Sequence, residues 1–501
     1  MTWDRERIKE LVQDKLQDYQ IILVSNREPY MHIYREGEIE VIMPASGMAI
    51  ALDSLMQTCG GTWVAAGSGE ADQEACDGQD AVMVPPQDPK YKLRRLWLTR
   101  EEEEGYYYGF ANGALWPLCH IVYSRPHFVT SQWEMYQVVN RKFADAVLSE
   151  VGEKRTIVFI QDYHFALLPR MLKEADPSLI VCQFWHIPWP NFEAFRICPW
   201  GTEILEGLLG NDLLGFHLQY HCNNFFDTVD RTMEARVDME KFAIFRQDKA
   251  TWVKPFPISI DFERFEDLAR APQTEVRMAN LRHRYNLAGI KVGLGVDRLD
   301  YTKGIPERLE ALDIFFQKYP HYQKRFTFLQ LGPQSRVHIP EYKSLNAQVD
   351  SLEEEINSRY QTGRWKPVRV LKTHLAHDEI APFYRLADVM VVSSLHDGMN
   401  LVAKEYAASR VDIDGALILS SFTGAVRELS GAYTINPYHP EDIADAIFQA
   451  LEASPEDRAA RMGAMRAWIQ EHNIYFWATQ YLWALLHLPR EEKAGTPPSS
   501  F

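Results

Sequence analysis

No run of this 501-residue chain approaches the apolar length that a membrane span requires. Residues 1–20 are charged and amphipathic, without the apolar centre of a signal peptide. Positive charge is in deficit as well: 53 basic residues against 69 acidic ones leave a net charge of −16, which argues against nucleic acid as a partner. The six cysteines (Cys59, Cys76, Cys119, Cys182, Cys198 and Cys222) lack CxxC spacing. Reduced thiols are therefore expected rather than disulfides or zinc, with Cys182 a small core residue in an apolar run. Low complexity is confined to the acidic run 101–104, read as a solvated helix face. These absences describe a cytoplasmic protein with no membrane partner.

What is present is apolar bulk. Hydrophobic residues make up 46% of the chain and aromatic ones 12%, enough for large cores, and the length predicts two or three domains. Continuous apolar runs at 21–25, 156–160, 179–185 and 213–216 read as strands buried on both faces, as do 291–296, 326–331, 368–371, 389–393 and 416–420. Helical spacing over 306–318, 400–409 and 440–453 completes an α/β pattern repeated twice. Lys254-Pro-Phe-Pro257 interrupts regular structure and marks a boundary, giving domains at 1–255 and 256–460. The aromatic, amphipathic stretch 461–488 (Trp468, Tyr475, Phe476, Trp477, Tyr481, Trp483) is expected to pack back on the first domain, before a mobile tail at 489–501.

Open parallel sheets bind ligands beyond the carboxyl ends of their strands. Arg27, Asp162, His186, Arg298, Arg336 and Asp397 each follow a predicted strand. Any one of them would ordinarily be a loop residue; together, from two halves facing one cleft, they form a candidate site. Arg298 and Lys303, five residues apart at a strand-to-helix turn with Gly304 and Pro306, suit a diphosphate leaving group, because fixed cations stabilise growing negative charge. Asp397 sits at a helix mouth and Glu405 two turns in, at most about 12 Å apart along a helix, which is about the span between the sugar and ribose of a nucleotide sugar. Gly398 allows close backbone approach, and the first N–H groups of the helix offer a phosphate site. Gly293 and Gly295 lack the third glycine of a dinucleotide fingerprint, so NAD is discounted. The turn Pro44-Ala-Ser-Gly-Met48 places Gly47 where its backbone could meet the diphosphate. Tyr107, Trp116 and His186 are core aromatics or site residues on sequence grounds alone. His374 and His377 lack a third ligand, so no metal site is expected.

Val24-Ser-Asn-Arg27, Ala111-Asn-Gly-Ala-Leu-Trp-Pro117, Gln161-Asp-Tyr-His164, His186-Ile-Pro-Trp-Pro190, Asp212-Leu-Leu-Gly-Phe216, Arg298-Leu-Asp-Tyr-Thr-Lys-Gly304 and the run 397–405 occur in one order. Over about residues 20–485 the chain thereby resembles the trehalose-6-phosphate synthase family. The resemblance implies an α/β GT-B fold: two Rossmann-like domains facing a central cleft, with a C-terminal helix returning to the first. It implies that Gly47, Arg298, Lys303, Asp397, Glu405 and the backbone of Gly398, Met399, Asn400, Leu401 and Val402 bind the nucleotide-sugar donor. Arg27, Tyr107, Trp116, Asp162 and Arg336 would bind the phosphorylated acceptor, and His186 would sit near the donor sugar. The implied reaction moves glucose from an NDP-glucose, UDP-glucose foremost, to glucose 6-phosphate with retention and without metal or other cofactor. Arg298, Lys303, Asp397, His186 and Asp162 are its expected catalytic groups. Small-molecule substrates, a role in osmoprotection and an open question of homo-oligomerisation follow from the same likeness.

Four positions depart from the family pattern. Ser46 replaces the first glycine of a Gly-Gly turn, and Ala66-Gly-Ser-Gly-Glu70 lacks an acceptor-facing tryptophan. Gln161 stands for a histidine and His396 for an arginine. Arg27-Glu-Pro-Tyr30 is similar to the related glucosylglycerol-phosphate synthases, so glycerol 3-phosphate is the alternative acceptor. A non-catalytic regulatory homologue is the alternative of another class.

Overall fold

The structure is a computed structural model that describes residues 4–43, 47–336 and 338–489. Residues 44–46 of the expected glycine turn and 490–501 of the expected tail lie outside the described residues.

Two sheets carry the chain. The larger runs Arg236–Asp238, Ala243–Arg246, Lys249–Pro255, Leu213–Phe216, Ile180–Phe184, Arg155–Gln161, Tyr19–Arg27, Thr62–Ala66, Tyr91–Leu96, Ala81–Val84. Its pairs are parallel from Lys249–Pro255 through Tyr91–Leu96 and antiparallel at both edges. The smaller sheet is wholly parallel, in the order Val368–Leu371, Phe326–Leu331, Lys291–Val296, Val389–Val392, Ala416–Ser420, Tyr433–Ile435. Val389–Val392, Ala416–Ser420 and Phe326–Leu331 are buried at every residue. Helices cover both faces, so the side chains on either side of such a strand are apolar or, as with Thr327, Gln330 and Ser420, hydrogen-bonded.

The stretch 461–488 was expected as one returning helix and is instead parts of two, Pro455–Glu471 and Ile474–Leu486. Asn473 divides them: its side chain accepts from the N–H groups of Tyr475 and Phe476 at 3.0 Å and so starts a new helix. The first helix stays with the smaller sheet, where Arg466 donates to the carbonyl of Ala407. Only the second packs on the larger sheet. There Tyr481 donates to the carbonyl of Gln183 at 2.8 Å, and Trp477 donates to that of Phe256 at 3.2 Å and stacks near Phe159. Among the described residues no helix is long and apolar enough to cross a membrane.

Candidate active site

The carboxyl ends of both sheets open on one cavity of about 370 Å³. It is lined by Arg27, Tyr107, Trp116, Asp162 and His186 from the larger-sheet side, and by Arg298, Lys303, Arg336, Asp397 and Met399–Val402 from the smaller-sheet side.

The smaller sheet contributes its cations from the loop after Lys291–Val296. That loop is fixed from beneath. Arg308, fully buried, donates to Asp297 at 2.8 Å, to Gln330 at 2.7 Å and to Ser393 at 2.9 Å. Gly304 has φ +60° and lies against the carbonyl of Ser393, where a Cβ would collide. Glycine is therefore required for the turn that puts Lys303 at the cleft. Lys303 contacts Asp397 at 2.5 Å, while Arg298 lines the cavity with no carboxylate partner among the described residues.

Asp397 follows Val389–Val392 through a turn ending in Asn400. Asn400 has φ +76° and caps the helix Leu401–Ser409 by accepting from the N–H of Ala403. The cap leaves the N–H groups of Leu401 and Val402 at the cavity wall. Asp397 uses one oxygen, Oδ2, to accept from Lys303, from Asn400 at 3.2 Å and from Ser394 at 3.4 Å. Burial pushes its carboxyl up, but Lys303 and these donors win and hold it at about 2, so it is ionised. A Cβ on Gly398 would stand 2.5 Å from the carbonyl of His186, so glycine lets the two halves of the site touch.

On the other wall, Tyr107 rides on a π-helix, Glu103–Leu115. Asn112 donates to the carbonyl of Tyr107 at 2.7 Å and accepts from Tyr163 at 2.8 Å, which fixes the wide turn. Burial raises the Tyr107 phenol, yet Arg336, Arg27 and Arg298 outweigh it and bring it to about 7. Three guanidinium groups thus converge on one phenol. Arg27 donates to it at 3.3 Å, and Arg336 lies 4.5 Å above the Trp116 ring, held by Asp300 at 3.3 Å. The indole nitrogen of Trp116 is buried without a partner among the described residues. Such a cluster is built for an anion with a ring attached.

Asp162, directly after the strand Arg155–Gln161, has φ +74°, a conformation uncommon outside glycine. Its side chain accepts from the N–H groups of Tyr163 at 2.9 Å and His186 at 3.2 Å. Burial raises its carboxyl to about 7 against those donors and Arg336 and Arg298. The ring of His186 donates from Nε2 to the side-chain amide oxygen Oε1 of Gln161 at 2.9 Å, because that oxygen can only accept. Burial drops His186 to about 3, so it is a neutral imidazole.

One expected donor side chain does not line the cavity. Glu405 is buried one turn deeper in the helix than Leu401, accepting from Tyr384 at 2.8 Å, and Gly47 opens the helix Gly47–Cys59. Gly398 backs the wall rather than lining it. Gln161 and His164, the ends of a quoted motif, line the cavity, as do His120 and His217, which were not singled out by the sequence. Each follows or precedes a named motif residue by a few positions, which is the signal that could have found them. His396 spans the two halves, donating from Nδ1 to the carbonyl of His120 at 2.6 Å. Among the described residues no group of three or more His, Cys, Asp or Glu side chains could hold a metal ion.

Residues 19–486 match the family model of glycosyltransferase family 20. The chain is 36% identical to a trehalose-6-phosphate synthase of Mycobacterium sp. (strain KMS) over 493 residues, covering 96% of this chain and 97% of that one. It is 31% identical to a UDP-forming alpha,alpha-trehalose-phosphate synthase of Schizosaccharomyces pombe, covering 95% and 92%. Among solved structures, the E. coli protein bound with UDP-2-fluoro glucose superposes with a TM-score of 0.84 at 28% identity, covering 94% and 99%. The Burkholderia xenovorans UDP-forming enzyme in complex with glucose-6-phosphate gives 0.83 at 26%, covering 93% and 99%. The two wrapped sheets have the GT-B architecture of these proteins.

Proposed function

The chain belongs to glycosyltransferase family 20, with the trehalose-6-phosphate synthases, and from that premise we propose how its cleft moves glucose from a nucleotide sugar to glucose 6-phosphate. The reaction yields trehalose 6-phosphate and the nucleoside diphosphate, with UDP-glucose as donor. The observation that carries the residue roles is the convergence of two basic clusters on one cavity: Arg298 with Lys303, and Arg27 with Arg336.

The first cluster takes the donor's diphosphate, assisted by the N–H groups of Leu401 and Val402. Asp397, ionised and offering Oδ1, accepts from glucose hydroxyls. The second cluster takes the acceptor's phosphate beside Tyr107, while Trp116 and Asp162 orient its sugar. The bond between the glucosyl C1 and the diphosphate breaks with its electron pair going to phosphate oxygen, and the acceptor's hydroxyl oxygen bonds to C1 from the same face. Arg298 and Lys303 stabilise that charge, and the departing oxygen accepts the acceptor hydroxyl's proton on the same face, so configuration is retained. Neutral His186 donates no charge to this step and holds the donor sugar by hydrogen bonding. The two fixed cations do what a metal does at other diphosphates, so no metal is assigned. Glu405 meets the ribose only if its contact with Tyr384 gives way; Gly47 closes on the diphosphate from the opposite side. We keep the division at 255/256, with 474–486 as the returning segment.

The test is release of UDP from UDP-glucose by purified protein with glucose 6-phosphate or glycerol 3-phosphate, and identification of the product. Release with glucose 6-phosphate and formation of trehalose 6-phosphate is expected. Release with glycerol 3-phosphate alone assigns the other acceptor, and release with neither assigns a non-catalytic role.

A further inference from the structure

A second crevice, of about 590 Å³, lies across the two halves on the far side of the Asp397 loop. The larger-sheet half supplies Ile121, Tyr123, Leu218, Tyr220 and His221; the smaller-sheet half supplies His396, Phe422, Arg427 and Tyr438 among others. Its lips are unusually apolar for solvent: Tyr123 is 92% exposed and Tyr220 58%, with Phe422 at 42% and Tyr438 at 44% facing them. Phe422 and Tyr438 meet edge to face at 5.8 Å. Exposed aromatic groups gathered at one opening mark a binding surface, whereas scattered ones would not.

The local backbone supports the same reading. Ile121 and Tyr123 both lie in the left-handed region, at φ +51° and +62°. A β-branched residue there is strained by about 1 kcal/mol or more. Ile121 is the left-handed C-cap of the helix Trp116–His120, its N–H donating to the carbonyl of Pro117, and the turn that follows leaves Tyr123 exposed at the crevice. His221 adds a ligand-seeking polar group: its side chain is only 1% exposed, and its Nδ1 has no partner among the described residues.

Charge narrows the ligand. Arg427 is exposed and has no ion pair among the described residues. The single carboxylate in the lining, Asp397, is already engaged by Lys303. In a protein of net charge −16, a guanidinium without an ion pair among the described residues attracts anions to this crevice, against the field of Glu307 near Tyr438. Aromatic faces beside a guanidinium suit a ring that carries phosphate. We infer that this crevice is a second ligand site, for a phosphorylated ring compound held between Tyr123, Tyr220, Phe422 and Tyr438 with its phosphate on Arg427 and His221. The shared chemistry is a phosphate monoester on a ring, whether a sugar phosphate or a mononucleotide. Because the ligand touches both halves, its binding stabilises their present arrangement.

The experiment is isothermal titration of the full chain with fructose 6-phosphate, AMP or inorganic phosphate. A phosphosugar can also enter the main cleft, so the titrations are made in an Arg27→Ala/Arg336→Ala background as well. Binding of fructose 6-phosphate or AMP should persist in that background and weaken at least tenfold when Arg427→Ala is added. Phe422→Ala should weaken the ring compounds similarly, and whichever of the two binds identifies the source. Turnover of Arg427→Ala and Phe422→Ala without added probe should match the parent, and equal melting temperatures exclude misfolding. Loss of all binding in the Arg27→Ala/Arg336→Ala background, indifference to Arg427→Ala, or equal affinity for inorganic phosphate would each overturn the assignment.

Discussion

Among the guanidinium groups around the main cleft, Arg308 is spent on Asp297 and Arg336 is braced by Asp300, but Arg298 has no carboxylate among the described residues to release before it meets an anion. Its truncation should therefore separate chemistry from folding. Arg298→Ala is expected to lower turnover by about a hundredfold or more, the usual scale for losing a group that stabilises developing charge, with an unchanged melting temperature. Near-normal UDP release would contradict the role. Two other side chains set a pH window. Asp162, raised to about 7, is ionised only above that pH, and Tyr107, lowered to about 7, keeps its proton only below it. If the acceptor needs the carboxylate and the neutral phenol, kcat/KM for glucose 6-phosphate is a narrow bell centred near 7. Tyr107→Phe should remove the alkaline limb and Asp162→Asn the acid limb, although the latter also lowers the rate. A flat profile in the parent protein would refute this. At this scale the sequence was legible where a motif residue ends a strand, as with Arg27, Asp162 and Arg298. It singled out Glu405 but not its contact with the Tyr384 hydroxyl, which only packing shows, and it passed over His120 and His217, each a few positions from a motif residue.

At the scale of elements, continuous apolar runs announced the inner strands because both faces are covered. Thr62–Ala66 and Tyr91–Leu96 were not read, since Gly61 and alternating Lys92, Arg94 and Arg95 break the run. Nor was the π-helix Glu103–Leu115, because a wide turn held by Asn112 has no hydrophobic period of its own. The helix Leu401–Ser409 illustrates what a single cap controls. Asn400→Ala removes the acceptor for Ala403 and places alanine at φ +76°, so a loss of about 2 kcal/mol is expected in urea unfolding. Asn400→Gly relieves the backbone and should recover part of it. An alanine variant as stable as the parent would mean that the cap is not holding the turn. Gly398→Ala probes the same turn from above: the added Cβ forces the Asp397 loop from His186, and kcat should fall with little change in secondary structure by circular dichroism.

For the whole molecule, buried imidazoles shape the acid limit. Burial lowers His120, His186, His217 and His221 each to about 3. Folded values below the ordinary 6.5 mean that this stability is complete above about pH 6.5 and drains as pH falls toward 3. Each such group contributes a slope of about 1.4 kcal/mol per pH unit. Asp162 at about 7 and Glu28 at about 8 act oppositely, favouring the fold at low pH and losing that contribution as pH rises. The histidines outnumber them, so the unfolding free energy should decline from pH 6.5 to 4.5, and a rising profile would refute it. The repeated α/β pattern was legible because strand spacing carries it. The division of 461–488 between the two halves was not, since aromatic content shows that a segment is buried but not against what.

That division has a mechanical result. The chain passes between the halves at Ile260 and again before Ile474, and there the N–H of Ile474 donates to the carbonyl of Ile260 at 2.9 Å. Tyr475 adds a bond to Asp261 at 2.8 Å. Two connectors stitched side by side behave as one pivot, like paired knuckles on a single pin. Relative movement of the halves is thereby confined to swinging about that line, and sliding or shearing apart would first have to unpick the stitch.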